Sequence, residues 1–192
     1  MKRSIILATV AVALCTVASQ NAAAQSDFGF KKLGVAVGYV SPEDMDGTFS
    51  IGGFADLGTV APRFGIEARL DYWSVSETQE VPFPGAPSAE ASVRDITLGA
   101  RGKYYFPVSS TSVRPFAGAG LGMHFVKAEV SIPPVGPLPG MSVEDSSTEL
   151  GLDLGGGMAT SLGAKTDLLA ELWYTASDLG QLSLRAGLAF KL

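Results

Sequence analysis

Cysteine, histidine and charge are all scarce in this 192-residue chain. It holds one Cys and one His, and only 17% of it is Asp, Glu, Lys or Arg. Soluble domains carry roughly a quarter charged residues, so this surface is not built for water alone. The formal net charge of −5 argues against a nucleic-acid partner, which needs a basic face. The cysteine, Cys15, sits inside an apolar run, Ile5 to Val17, that follows Lys2 and Arg3. Polar residues 19–21 and the small trio Ala22, Ala23 and Ala24 come next, which reads as a cleaved signal peptide over residues 1–24. The run is too short for a spanning helix, which needs about 20 residues. Leu14 stands before Cys15 where a lipidation signal has a small residue, so the cysteine does not read as an acylated anchor.

The expected mature domain, 25–192, contains no cysteine, which excludes structural disulfides and thiolate metal sites. Loss of Lys2 and Arg3 takes the net charge to −7. It also lacks any uninterrupted apolar stretch of helix-spanning length. Such a chain enters a membrane only as a closed barrel.

What the domain does have is alternation. At the end of the chain Leu182, Leu184, Ala186, Leu188, Phe190 and Leu192 alternate with Ser183, Arg185, Gly187, Ala189 and Lys191. That period of two marks a strand with one apolar face. The pattern recurs from Leu33 to Tyr39, Phe49 to Leu57, Phe64 to Tyr72, Ile96 to Phe106, Ala117 to Phe125, Leu150 to Met158 and Leu168 to Tyr174. The connections alternate in length. Short ones fall near 58–62, 107–112 and 161–165, longer ones at 41–47, 76–92 and 133–147, and a final short one at 177–180. The fold class is therefore all-β: an eight-stranded antiparallel up-and-down transmembrane β-barrel, preceded by the signal peptide, with short periplasmic turns and longer external loops.

A soluble lipocalin-like barrel would also alternate, with its apolar face inward. Three features favour the membrane. The polar face is rich in glycine and poor in lysine. It also carries both signs of charge: Glu67, Arg69, Asp71, Arg101, Lys103, Glu149, Asp153, Glu171 and Arg185. These are expected to face the lumen as a mixed-sign network. Finally, of 17 aromatic residues, 15 fall near strand ends, the positions of two girdles, with Phe54 and Phe83 left over.

The signal peptide, the alternating strands and the last strand Gly187-Leu188-Ala189-Phe190-Lys191-Leu192 resemble the small outer-membrane β-barrel family of the OmpX, OmpW and OmpA-barrel kind. The resemblance covers the whole expected mature chain. Members usually end in Phe, whereas this chain ends in Leu192 with Phe190 two residues earlier. The resemblance implies recognition of that strand by the barrel assembly machinery, and membrane lipid and lipopolysaccharide as neighbours. The chain shows no periplasmic peptidoglycan-binding domain of the OmpA type.

An eight-stranded barrel is just wide enough for side chains to fill. Gly118, Gly120 and Gly122 line up on the inner face and leave room for long partners such as Arg69, Arg101 or Trp173. A plugged lumen with a structural or cell-surface role is the expected function. Resemblance to the OmpW side implies the alternative, a narrow or laterally opening conduit for small hydrophobic molecules. A lipid-modifying enzyme is a third class, in which His124 would be the histidine base, but the His-x-Ser pattern of the deacylases is absent. No cofactor is expected. Glu43, Asp44, Asp46 and Gly47 faintly resemble a calcium loop without its length or closing Glu, and read as an acidic turn. Loops two and three carry Pro/Gly runs with apolar tips, Phe83, Val135, Leu138 and Met141, expected to touch an extracellular partner.

Overall fold

The structure is a computed structural model, and it describes residues 27–79, 88–109, 112–134 and 140–192. The signal peptide, Cys15 and the loop residues Phe83, Val135 and Leu138 lie outside the described residues. Eight strands follow in order: β1 Asp27–Pro42, β2 Thr48–Ala61, β3 Phe64–Gln79, β4 Ala89–Tyr105, β5 Val113–Ile132, β6 Met141–Ser161, β7 Thr166–Ala176 and β8 Gln181–Lys191. Each pairs antiparallel with its sequence neighbour, and β1 pairs with β8 from Lys32↔Lys191 to Pro42↔Gln181, so the barrel closes without an edge. One departure from regular pairing is a bulge between Asp56 and Thr59. There Gly58 takes φ +85°, and a side chain would run into the Asp27 carbonyl.

Polarity is inverted relative to a soluble domain. Among the described residues, fifteen buried residues are polar or charged and nine are hydrophobic. The apolar residues stand on the outside: Val35 is 59% exposed, Ile51 60%, Leu98 57% and Leu184 60%. An apolar band of this extent around a barrel is a lipid-facing surface. Its rims carry ring pairs, with Tyr39 edge-on to Phe49 at the loop end and Tyr104 edge-on to Phe106 at the turn end. The girdles are smaller than strand-end counting suggests. Trp73, Trp173 and Phe116 are fully buried in the lumen, because they share the inward parity of Asp71, Glu171 and Gly118. Phe54 also points inward, its ring against Gly34, where a Cβ would collide with it.

Strands β3 to β6 run well past the bilayer. Sequence patterning places loops at 76–92 and 133–147, yet β3 continues to Gln79, β4 begins at Ala89, β5 reaches Ile132 and β6 begins at Met141. Registers stay unbroken out to Gln79↔Ala89, Glu90↔Ser131 and Ile132↔Met141. β2 reaches β3 only at Ser50↔Trp73, and β7 reaches β6 only at Leu152↔Ala176. A four-stranded sheet therefore stands above the mouth.

Since the register of these four strands never slips, the two faces can be followed upward, and their character swaps. Within the band the outward residues are Leu70, Tyr72, Leu98, Met123, Phe125 and Leu150, and above it Ser76, Ser92, Lys127, Glu129 and Glu144. The inward face turns from mostly charged to mostly apolar, with Glu77 and Asp145 on its two outer strands. The swap places the outer bilayer boundary near Tyr72, Ile96, Phe125 and Leu150. Leu98→Arg should then cost roughly 2–4 kcal/mol as a lipid-facing charge. Ser92→Arg, on the same strand and face but above the boundary, should stay within about 0.5 kcal/mol of the parent. Urea unfolding in lipid vesicles reads both, and equal costs would refute this boundary.

Candidate functional site

The chemistry of this chain is concentrated in the lumen. On β3, Glu67, Arg69 and Asp71 alternate with Ile66, Ala68 and Leu70, so the strand pleat turns all three inward, where they are buried. β4 brings Arg101 and Lys103, β6 Asp153, β7 Glu171 and β8 Arg185, all buried. Ion pairs join them end to end. Lys103 Nζ pairs with Glu67 and lies 2.7 Å from Glu171 Oε1. Arg101 lies 3.8 Å from Glu171 and 3.1 Å from Asp153. Arg69 spans Asp153 at 3.0 Å and Asp71 at 2.7 Å, and Arg185 meets Asp71 at 2.8 Å. Glu67, Lys103, Glu171, Arg101, Asp153, Arg69, Asp71 and Arg185 thus form one linked chain of four acids and four bases, formally neutral. Glu149 stands apart. It faces the lumen opposite His124, half-buried, accepts a hydrogen bond from the Ser147 hydroxyl at 3.1 Å, and joins no ion pair among the described residues.

The glycine row of β5 makes the chain fit. A Cβ on Gly118 would stand 3.0 Å from the Trp173 ring, and one on Gly120 2.7 Å from Arg101 Cγ. On Gly122 it would meet Thr97, His124 and Arg69 within 3.4 Å. The space those glycines open is thus occupied. The Arg101 guanidinium stacks 3.9 Å from the centre of the Trp173 ring, whose Nε1 donates to Glu171 at 3.2 Å. Thr175 donates to Asp153 at 2.6 Å.

Toward the turns, Phe54, Ala36, Ala159, Leu169 and Ala189 form an apolar layer. Below it Asp167, almost fully buried, receives Lys32 at 2.9 Å, Arg114 at 3.1 Å, Lys191 at 3.2 Å and the Ser161 hydroxyl at 2.8 Å. A cavity of 20 Å³ between this cluster and Lys103 is room for one water. At the turn-end mouth an open vestibule of 340 Å³ is lined by Lys31, Lys32, Arg63 and Arg114 with Asp27 and Asp56.

Toward the loops lies a second polar group. His124 Nδ1 sits 2.8 Å from Asp95 Oδ2 and 3.0 Å from Thr97 Oγ1, and Thr97 donates to the same carboxylate at 2.9 Å. A catalytic relay sets carboxylate and nucleophile on opposite ring nitrogens. Here both partners crowd Nδ1, so the cluster resembles a structural bracket. Loop one is tied down. The Glu43 N–H donates to the Gly180 carbonyl at 2.7 Å, and the Asp46 N–H to Glu77 at 3.1 Å. Of the apolar tips, Met141 is described, opening β6 at 65% exposure. Sequence reasoning considered His124 alone and singled out neither Asp95 and Thr97 beside it nor Asp167. Their inward parity was the available signal.

The linked chain gives a direct test. Arg69→Leu leaves four buried acids against three bases, with Asp71 held by Arg185 alone and Asp153 by Arg101 alone, and should destabilise by about 3–5 kcal/mol, the range for removing one partner from a buried ionic network. Urea unfolding in lipid vesicles reads it. A variant as stable as the parent would mean that Arg69 faces lipid and that the β3 register is off by one.

Comparison with known proteins follows this geometry. The chain matches the outer membrane protein beta-barrel domain over residues 9–190. No curated protein matches it. Its structure is similar to Neisserial surface protein A at 20% identity and TM-score 0.54, covering 85% of this chain and 96% of that one. It is also similar to a major outer membrane protein from Thermus thermophilus, at 15% identity and TM-score 0.56, over 84% and 99%. Ail, the attachment invasion locus protein of Yersinia pestis, matches at 12% identity and TM-score 0.50, over 85% and 99%. Inverted polarity, eight strands closed β1 to β8 and a family match along almost the whole chain place this protein in the outer membrane, as a member of the outer membrane protein β-barrel family.

Proposed function

We propose that this barrel is closed to solutes and serves as a structural and cell-surface interaction protein rather than an enzyme. The observation that carries the reading is the formally neutral chain of eight ionisable side chains lying across the lumen from five of the eight strands, packed against Trp173. A conduit would need that chain to part, and separating buried pairs costs several kcal/mol. Catalysis is disfavoured by the crowding of both Asp95 and Thr97 on one nitrogen of His124. The apolar band takes membrane lipid and lipopolysaccharide as its neighbours, and the last strand, with Leu188 and Phe190 outward, is the segment offered to the assembly machinery. No cofactor and no nucleic acid enters this reading. The projecting sheet and loops two and three are the surface for an extracellular partner. Ail is described in complex with the heparin analogue sucrose octasulfate. The external end of the present chain is acidic, which does not suit such a polyanion.

In planar bilayers the purified protein should give no conductance steps, while the double variant Arg101→Ser with Trp173→Ala should open a measurable one. Steps or uptake of a hydrophobic solute by the parent protein would favour the conduit instead. An outer-leaflet lipid-hydrolysis assay should show no activity in the parent or in His124→Ala. Activity lost in that variant would make the protein an enzyme.

A further inference from the structure

The sheet that stands above the mouth has an inner face whose apolar middle is exposed, and at its β3 edge Glu77 accepts from the Asp46 N–H of loop one. Following the unbroken registers upward from Trp73, Asp95, His124 and Glu149, the inward positions are Val75, Glu77 and Gln79 on β3, Ala89, Ala91 and Val93 on β4, Val126, Ala128, Val130 and Ile132 on β5, and Met141, Val143, Asp145 and Ser147 on β6. Val130 pairs with Val143 and Ile132 with Met141, which makes a contiguous apolar patch. These four are 46%, 62%, 42% and 65% exposed. They lie above the swap in face polarity, so lipid does not cover them.

Charge says what does. Among the described residues the external segments, 43–47, 74–79, 88–94, 126–134, 140–149 and 177–180, hold ten Asp and Glu against two basic residues, Arg94 and Lys127. Both bases lie on the outward face and are already paired, Arg94 with Glu129 at 3.5 Å and Lys127 with Glu144 at 2.7 Å. Among the described residues the charged groups of the inward face above His124 and of its rim are acids: Glu77, Asp145 and Glu149 on the face, Asp44 and Asp46 on loop one beside Glu77, and Asp178 between β7 and β8. We infer that this face docks a cationic amphipathic peptide segment of an extracellular partner. Its apolar side chains would cover Val130, Ile132, Met141 and Val143, and its Lys or Arg residues would reach Glu77 and Asp145. Opposite charge steers the encounter and apolar burial holds the complex. A lipid tail would leave the acids uncompensated, and a second copy would bring acids against acids.

The inference rests on the reading of the chain as a cell-surface interaction protein, and the experiment separates the two. Fold the full chain into phosphatidylcholine vesicles and titrate labelled peptides of about ten residues, long enough to cross the sheet, with Leu alternating with Lys or with Glu. The Leu–Lys peptide should bind and the Leu–Glu peptide should not. Val130→Ser with Val143→Ser should weaken binding about tenfold, as lost apolar burial dictates. Glu77→Gln with Asp145→Asn should weaken it and flatten its salt dependence, while Glu90→Gln on the polar back face should leave it unchanged. Retained heat-modifiability on a gel shows that each variant is folded. No binding, equal binding of both peptides, or binding indifferent to the face variants overturns the proposal. Self-association abolished by the two serines also overturns it, since the face would then belong to a second copy. Vesicles that stay impermeable while the peptide fails to bind overturn this proposal alone. Vesicles that leak overturn the closed-barrel reading whatever the peptide does.

Discussion

Most of this barrel depends on one constraint: in the fully buried middle of a small lumen walled by lipid, an unpaired charge is costly. An ion taken out of water costs several kcal/mol, and Coulomb attraction returns that only when geometry is good. Four acids and four bases meet the constraint by sharing. Asp153 takes Arg69 and Arg101, Asp71 takes Arg69 and Arg185, and Lys103 bridges Glu67 and Glu171. Because β3, β4, β6, β7 and β8 each supply at least one member, the chain of pairs also fixes how far those strands stand from one another. Removing a member leaves a buried ion behind, so each depends on the rest.

Space is the second half of the same constraint. Long side chains on β3, β4 and β7 need room, and β5 gives it by having none of its own at 118, 120 and 122. Trp173 lies over Gly118, Arg101 over Gly120, and Arg69 and His124 over Gly122. A methyl group at 118 or 120 would meet ring or stem atoms and backbone carbonyls together, and interiors at crystal-like density have little slack for that. Glycine on one strand and bulk on the strands facing it are one packing solution written in two places.

Strict alternation made much of this legible in the sequence. Parity alone assigns Leu70 outward and Arg69 inward, because a strand has only two faces. It could not say which charges touch, since the pairing of Arg185 with Asp71 depends on barrel closure across 114 residues. Height along the strand also misleads for the tryptophans. Trp73 and Trp173 sit near strand ends, as girdle residues do, yet their parity is that of Asp71 and Glu171, and face outweighs height. The ends of β3 to β6 were hidden for a further reason. Alternation continues through Val75, Val93, Val130 and Val143, but on the parity that faces the lumen lower down. A search for one apolar stripe per strand stops where the stripe changes sides.

That change of sides goes with a second contrast, between the two ends of the formally neutral ion-pair chain. With the middle of the barrel carrying no net charge, the two mouths are free to differ. They do: the external segments hold ten acids and two bases, while Lys31, Lys32, Arg63, Arg114, Lys165 and Lys191 meet Asp27, Asp56 and Asp167 at the turn end. Exposed charges are screened in solution over about 8 Å, against a hydrocarbon core of about 30 Å. The acidic mouth and the basic mouth therefore do not feel each other through water, and the chain of pairs between them carries no net formal charge. Each end presents its own balance of charge to its own side, and the barrel wall holds the two apart.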